Sequence, residues 1–515
     1  MLRLFRLMRH FGKHFWVELS IAPNRWDANA FHSVTLIRSF TISLNMKATI
    51  IGSFLMTMAT TLPAQVLISD SLLISFTQQE LIDLGVGNAE NDVEVHRLIY
   101  TTVDAFGDPT IASGAVVLPV GTSCYHALAA YMHGTILNRD DVPSRLSGEM
   151  IVGYFLGGTG YVAALPDYLG LGDSPGPHPY VHAASEATAS IDMMRATREF
   201  CAQQSVLLNG QVFLTGYSQG GHACMATHKM IQEQLGEEFN LTASAPCSGP
   251  YDVSGSQAQA MVTPDPYPAP YYLPYVLFSY GYVYPDLYAD IGEVIQEPWA
   301  TSLPPLFQGN NGSGEVDAIM PAAPSEILQD SVLQSFSTDP NHRMRVALRE
   351  NDLYDWVPTA PMRIIYCNGD DHVFAENSIV TINAMQLNGA TSVEGMDLGE
   401  LDHSGCAFPA LLNAKNFFDG LKGNCSWNGI DEQTTVSWSL SPNPSNGHIF
   451  LRSFNSNNVK VVWDLIQLDG RRIANGTSWT TNCELSLNFS DIIPGTFLLQ
   501  FDTGSDQRTL KVVLN

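Results

Sequence analysis

Ser218 lies in Gly216-Tyr-Ser-Gln-Gly220, the G-x-S-x-G spacing that can present a serine hydroxyl for nucleophilic attack. A serine hydroxyl is a weak nucleophile at neutral pH and needs a base beside it. That base, usually an imidazole, must in turn be oriented and charge-balanced by a buried carboxylate. The chain order of such a set is serine, acid, histidine, and three histidines follow the candidate acids: His372, His403 and His448. Asp370 and Asp371 offer the carboxylate, directly after the apolar run Met362-Arg-Ile-Ile-Tyr366. Asp370 is preferred because it stands three residues before Val373, although both remain open. His372 is too near the acid to reach back to the serine, which leaves His403 as the expected base. The negative charge that builds up during attack needs backbone donors. The N–H of Gln219, directly after the serine, is one candidate. The N–H of Thr135, in His133-Gly-Thr135 at the end of an earlier apolar run, is the other. His222 is close to the serine in sequence but sits on the following helix, where packing or polar support is the expected role.

The motif means little without its context. At an average Gly content of ~7%, G-x-S-x-G arises by chance in roughly one chain in five of this length. Here Val212 to Leu214 reads as a buried strand before it, and His222 to Leu235 as a helix after it. Strand, sharp turn and helix are the setting in which the serine is held in a strained, exposed position. Further strands are expected at Val93 to Val103 and Ile111 to Val120, joined as a hairpin by Gly107-Asp-Pro109, and at Ala127 to Met132, Tyr161 to Leu165, Leu241 to Ala245, Met362 to Tyr366 and Thr391 to Met396. Helices are expected at Ser75 to Asp83 with Thr77 as its cap, Ala183 to Phe200, Ala375 to Leu387 and Phe408 to Leu421, which leaves His403 in a loop. Alternating strands and helices give a mostly parallel sheet covered on both faces, with an antiparallel edge. That is an α/β class chain, with the layout of an α/β-hydrolase fold.

The rhythm breaks between about residues 250 and 358. Thr263 to Tyr284 is dense in Tyr and Pro, and reads as a lid insertion over an apolar pocket. From about residue 436 the composition shifts to short alternating stretches, Ile449 to Leu451, Val459 to Leu468, Glu484 to Phe489, Thr496 to Phe501 and Leu510 to Leu514, separated by turn residues. These predict a small all-β sandwich over 436–515. His448 falls inside it, away from the serine. The catalytic part is therefore expected to span 65–430.

Residues 46–64 read as a signal peptide: Lys47, a short apolar stretch and small residues before Gln65. Translation is expected to start at Met46, with residues 1–45 an upstream read-through. Export would put the eight cysteines in an oxidising space, where disulfides persist. Cys406 with Cys425 is the expected pair and Cys224 an expected buried free thiol. No C-x-x-C occurs, so a zinc or thioredoxin-type reading has no support, and the serine chemistry implies no metal or cofactor. A net charge of −26 disfavours nucleic acid and anionic membranes as partners.

Tyr131-Met-His-Gly-Thr135, Pro166-Asp-Tyr-Leu-Gly-Leu-Gly172, Gly216-Tyr-Ser-Gln-Gly-Gly221, Gly369-Asp370 and Asp402-His-Ser-Gly-Cys406 together resemble the secretory lipase family of α/β-hydrolases over residues 65–425. The resemblance implies a lidded carboxylesterase or lipase with Ser218, Asp370 and His403 as its triad and an ester as its substrate. Ser404 stands where many members have Gly. Ser441-Pro-Asn-Pro-Ser-Asn-Gly447, Ile493-Pro-Gly-Thr-Phe497 and Lys511-Val-Val-Leu-Asn515 resemble the sorting domain of type IX secretion, which implies secretion or cell-surface display and a partner in the secretion machinery. A serine peptidase of the same fold and a non-catalytic surface-binding protein are the alternatives.

Overall fold

The computed structural model describes residues 65–122, 124–423, 438–442, 444–453, 459–467, 471–481, 484–503 and 507–514. The expected signal peptide and upstream extension lie outside the described residues. Nine strands form the main sheet: β1 (Leu67–Phe76), β2 (Asp92–Val103), β3 (Pro109–Val120), β4 (Tyr125–Met132), β5 (Tyr161–Pro166), β6 (Leu207–Tyr217), β7 (Asn240–Cys247), β8 (Met362–Tyr366) and β9 (Val393–Asp397). Their spatial order is β1-β2-β3-β5-β4-β6-β7-β8-β9. The run from β5 through β9 is parallel, and β1 to β3 add an antiparallel edge.

The centre of this sheet is apolar on both faces because helices cover both. On β4, Leu128, Ala130 and Met132 join Val212 and Leu214 of β6 in one core, with Met194 and Phe200 from the helix Ala183–Gln203. Ala127, Ala129 and Tyr131 alternate with them and pack with Phe213 on the other face, against Leu156 and Phe418. The period of two decides which core each side chain enters. Burying one such large side chain contributes about 1.5–3 kcal/mol, so the two cores together fix the ends of β4 and β6 where the chemistry-bearing loops begin.

The structure corrects three expectations. The stretch Ser75 to Asp83 is not all helix: β1 runs to Phe76, and the helix Gln78–Asp83 follows, with Thr77 as cap in a capping box with Glu80. The last helix starts at His403, not Phe408, because the Asp402 carboxylate caps it by accepting from Gly405 N at 2.7 Å. Cys406 is bonded to Cys367, not to Cys425, which lies outside the described residues. Cys224 is a buried free thiol.

Between β7 and β8 the chain forms short helices around a third core, in which Tyr267, Tyr271, Tyr272, Tyr275 and Tyr280 are buried. The phenol tips find carbonyl acceptors: Tyr275 Oη donates to Ile136 O at 2.8 Å, and Tyr280 Oη to Val181 O at 3.0 Å. Seven further strands, β10 (Trp438–Ser441), β11 (His448–Ser453), β12 (Lys460–Gln467), β13 (Arg472–Trp479), β14 (Glu484–Asn488), β15 (Gly495–Asp502) and β16 (Gln507–Leu514), form sheets of order β10-β11-β14 and β13-β12-β15-β16. Ile449, Leu451, Leu465, Leu499 and Phe501 fill the core of this sandwich. β10 and β13 were not foreseen.

Candidate active site

Ser218 sits between the end of β6 and the helix Gln219–Gln234, with φ of 59° and ψ of −122°. A non-glycine residue there is strained by about 1–3 kcal/mol. Its neighbours over-determine the turn. Ser218 N donates to Cys247 O on β7 at 3.0 Å. A Cβ on Gly216 would lie 2.2 Å from Gly220 O, and one on Gly220 would lie 1.9 Å from Met132 O. Both positions therefore require glycine, and the helix start is pressed against the end of β4.

That contact brings the loop after β4 to the serine. His133 is fully buried, with Nδ1 2.7 Å from Gly134 O and Nε2 3.2 Å from Asp167 O. Glu149 holds the next residue by accepting from Gly134 N at 3.0 Å, and the Tyr131 hydroxyl donates to the same carboxylate oxygen. Asp167, itself buried, accepts from Ser113 Oγ at 2.5 Å and Ser144 N at 3.0 Å. Burial raises the Asp167 pKa, and those hydrogen bonds offset part of the rise. Among the described residues, the backbone N–H groups of Thr135 and Gln219 have no hydrogen-bond partner. Both N–H groups are therefore available to donate to a hydrogen-bond partner from outside the fold.

Asp370 and His403 are in direct contact. His403 Nδ1 lies 2.8 and 2.9 Å from the two carboxylate oxygens of Asp370, and both residues are buried. Asp370 Oδ1 also accepts from the backbone N–H of His372 at 3.1 Å and of Val373 at 2.8 Å. The neighbouring carboxylate takes a different partner: Asp371 Oδ1 accepts from the His403 backbone N–H at 3.2 Å. Tyr217, adjacent to Ser218, joins this pair to the serine: its hydroxyl donates to His403 O at 2.6 Å, and its ring lies 5.0 Å from the imidazole. The disulfide from Cys367 to Cys406 closes a loop that contains both Asp370 and His403.

His372 stacks on His403 with ring centroids 4.8 Å apart, and burial lowers its pKa. The Tyr-rich insertion reaches this loop too, since Tyr267 Oη donates to His372 O. Behind the serine, the Gln219 side chain bonds Glu186 Oε1 at 2.9 Å and His178 Nε2 at 2.8 Å, while His222 Nδ1 lies 2.7 Å from Glu186 Oε2. His222 is thus polar support behind the turn, as expected. His448 lies on β11 of the sandwich. Glu149, His178 and Glu186 were missed by sequence reasoning, because nothing in spacing marks a buried carboxylate that serves a loop from a distance.

Ser218 and Gln219 open into a cavity of about 240 Å³, walled chiefly by apolar residues of the insertion, including Met261, Leu273, Leu277, Leu328 and Phe336. Among the described residues there is no cluster of His, Cys, Asp and Glu that could hold a metal ion.

The fold and the sequence have known counterparts. Residues 439–515 match the secretion system C-terminal sorting domain. That match marks the chain for export by type IX secretion, to the cell surface or beyond. The chain is 30% identical to the rice cell wall degrading esterase LipA from Xanthomonas oryzae, with 70% of this chain and 100% of LipA covered and a TM-score of 0.63. Candida antarctica lipase A is 15% identical over 70% of this chain and 84% of its own, with a TM-score of 0.55, and shares the fold. No curated protein sequence matches the chain.

Proposed function

The chain belongs to the secretory lipase family of α/β-hydrolases and is a carboxylic ester hydrolase, and from that premise we propose that it works through an acyl-enzyme on Ser218. The observation that carries the proposal is the buried Asp370–His403 contact at 2.8 Å, joined to the strained serine turn by the Tyr217 hydroxyl. With the Nδ1 proton held by Asp370, the His403 Nε2 lone pair is free to act as base. It takes the Ser218 proton as Oγ attacks the ester carbonyl carbon. The carbonyl π pair moves onto oxygen, where the Thr135 and Gln219 N–H groups receive it. The C–O bond to the alcohol then breaks, and His403 returns the proton to the leaving oxygen. Water, deprotonated by the same imidazole, attacks the acyl carbon; the C–Oγ bond breaks, His403 returns the proton to Ser218 Oγ, and the acid leaves.

The insertion acts as a lid whose apolar wall takes the acyl chain. The expected substrates are therefore esters with an apolar acyl part, and the lid core excludes water from the acyl-enzyme. Residues 46–64 direct the chain across the inner membrane, and residues 436–515 hand it to the secretion machinery. Hydrolysis of p-nitrophenyl esters from two to sixteen carbons tests this reading. It expects kcat/KM to rise from the acetate to longer acyl chains; a profile that falls steadily from the acetate would overturn the pocket assignment.

A further inference from the structure

Tyr272 is the first residue of the lid helix Tyr272–Val283 and is 8% exposed. Its ring packs into the lid core beside Tyr180, at 6.3 Å between centroids, and edge-on to His372 at 6.0 Å. Tyr272 Oη lies 3.4 Å from His372 Nδ1, so it stands over the imidazole stack that ends in His403. It lines the same cavity as Ser218 and Gln219. Burial raises the Tyr272 pKa, and the side chains of Tyr271, Thr135 and Ser218 offset part of that rise by hydrogen bonding. Thr135 is fixed there by its own hydroxyl, which lies 2.9 Å from Tyr180 Oη. A phenol of the lid thus borders the cavity into which the serine opens.

We propose that Tyr272 is a catalytic residue of the lid, its hydroxyl donating the third hydrogen bond to the oxyanion beside the N–H groups of Thr135 and Gln219. This rests on the serine mechanism proposed above. As Ser218 Oγ bonds to the carbonyl carbon and its proton passes to His403, the electron pair on the carbonyl oxygen gains the Tyr272 O–H as partner. The phenol keeps its proton throughout, and its hydrogen bond turns from the neutral His372 ring to the charged oxygen. A hydrogen bond to an ionised acceptor is about twice as strong as a neutral one, so the interaction favours the transition state over the bound ester. Burial raises the Tyr272 pKa, which keeps the donor protonated across the working range. The consequence is that the oxyanion site is complete only with the lid helix in place.

The test compares native protein, Tyr272→Phe and Ser218→Ala on one p-nitrophenyl ester, and measures inhibition by a trifluoromethyl ketone, which binds serine hydrolases as an oxyanion. Phe keeps the ring and its packing and removes only the donor. Loss of one oxyanion donor costs about 10²-fold in kcat. Tyr272→Phe is therefore expected to lose about 10²-fold in kcat with KM nearly unchanged, and to weaken the ketone by the same factor. 3-Fluorotyrosine at position 272, which retains the hydroxyl, should restore both. A Tyr272→Phe protein with native kcat and ketone affinity, or one that is faster than native, overturns the proposal while leaving the serine mechanism intact. An unchanged rate in Ser218→Ala would overturn that mechanism and this proposal with it.

Discussion

Cys367 and Cys406 are covalently joined, and the loop between them carries both Asp370 and His403. Cys367 is three residues before the carboxylate and Cys406 three after the imidazole, so the bond ties the end of β8 to the start of the last helix. The sequence separation is 39. Closing a loop of that length stabilises the fold by about 4 kcal/mol through the unfolded chain.

Replacing both cysteines by serine should therefore lower the unfolding temperature and, at a temperature where the protein stays folded, reduce kcat by about tenfold as the Asp370–His403 contact loosens. Calorimetry and ester hydrolysis on the same preparation check this. Unchanged kcat in a measurably less stable protein would show that the bond serves stability alone.

The two adjacent carboxylates should separate sharply. Asp370 holds the imidazole with both oxygens, whereas Asp371 meets only the His403 backbone. Asp370→Asn is expected to lose about 10⁴-fold in kcat, the scale seen when a triad aspartate becomes an amide. Asp371→Asn should lose less than about tenfold, the scale of one neutral-range hydrogen bond at about 1 kcal/mol. Equal losses would reassign the acid.

Gly220→Ala should destroy the turn. Its Cβ would sit 1.9 Å from Met132 O, against backbone that is itself part of the central sheet. The expected result is a protein that is insoluble or folded without activity. A soluble, active Gly220→Ala variant would mean that the helix start can move away from β4.

Acid should destabilise the fold through histidines that the core keeps neutral. Burial lowers the pKa of His178 and His182 to about 4 and of His228 to about 3, from an ordinary 6.5. The unfolded chain takes up these protons near pH 6.5, and the native fold does not until pH 3–4. The stability they confer is thus fully present above pH 6.5 and lost as pH falls to about 4 or 3, by about 3 kcal/mol each for His178 and His182 and about 5 kcal/mol for His228. Unfolding temperatures from pH 7 to pH 4 should fall steeply for the native protein and less steeply for His228→Gln. Parallel slopes would exclude His228 as a contributor.

How much of this was legible in the sequence depended on distance along the chain. The turn at Ser218 is local: an apolar strand, two glycines that clash with a Cβ and a helix, all within 25 residues, so its strain could be read directly. The juxtaposition of Asp370 with His403 followed from chain order, because a parallel sheet presents successive strand ends along one edge. The start of the last helix had a local signal that was overlooked, the Asp402 cap accepting from Gly405 N. The Cys367–Cys406 bond had no such signal, since spacing alone cannot say which of several cysteines a sheet brings together. β1 was hidden because it is an edge strand with mostly exposed or half-buried residues. The placement of Tyr272 was hidden for the opposite reason: its helix is apolar almost all round, and no period marks which tyrosine faces the serine.

The most direct measurement is covalent labelling with a fluorophosphonate, followed by peptide mass spectrometry and p-nitrophenyl ester hydrolysis of the labelled protein. The account predicts one adduct, on Ser218, with activity lost in proportion to labelling, and neither labelling nor hydrolysis in Ser218→Ala. Ester hydrolysis that survives full labelling, or that persists in Ser218→Ala, would contradict it.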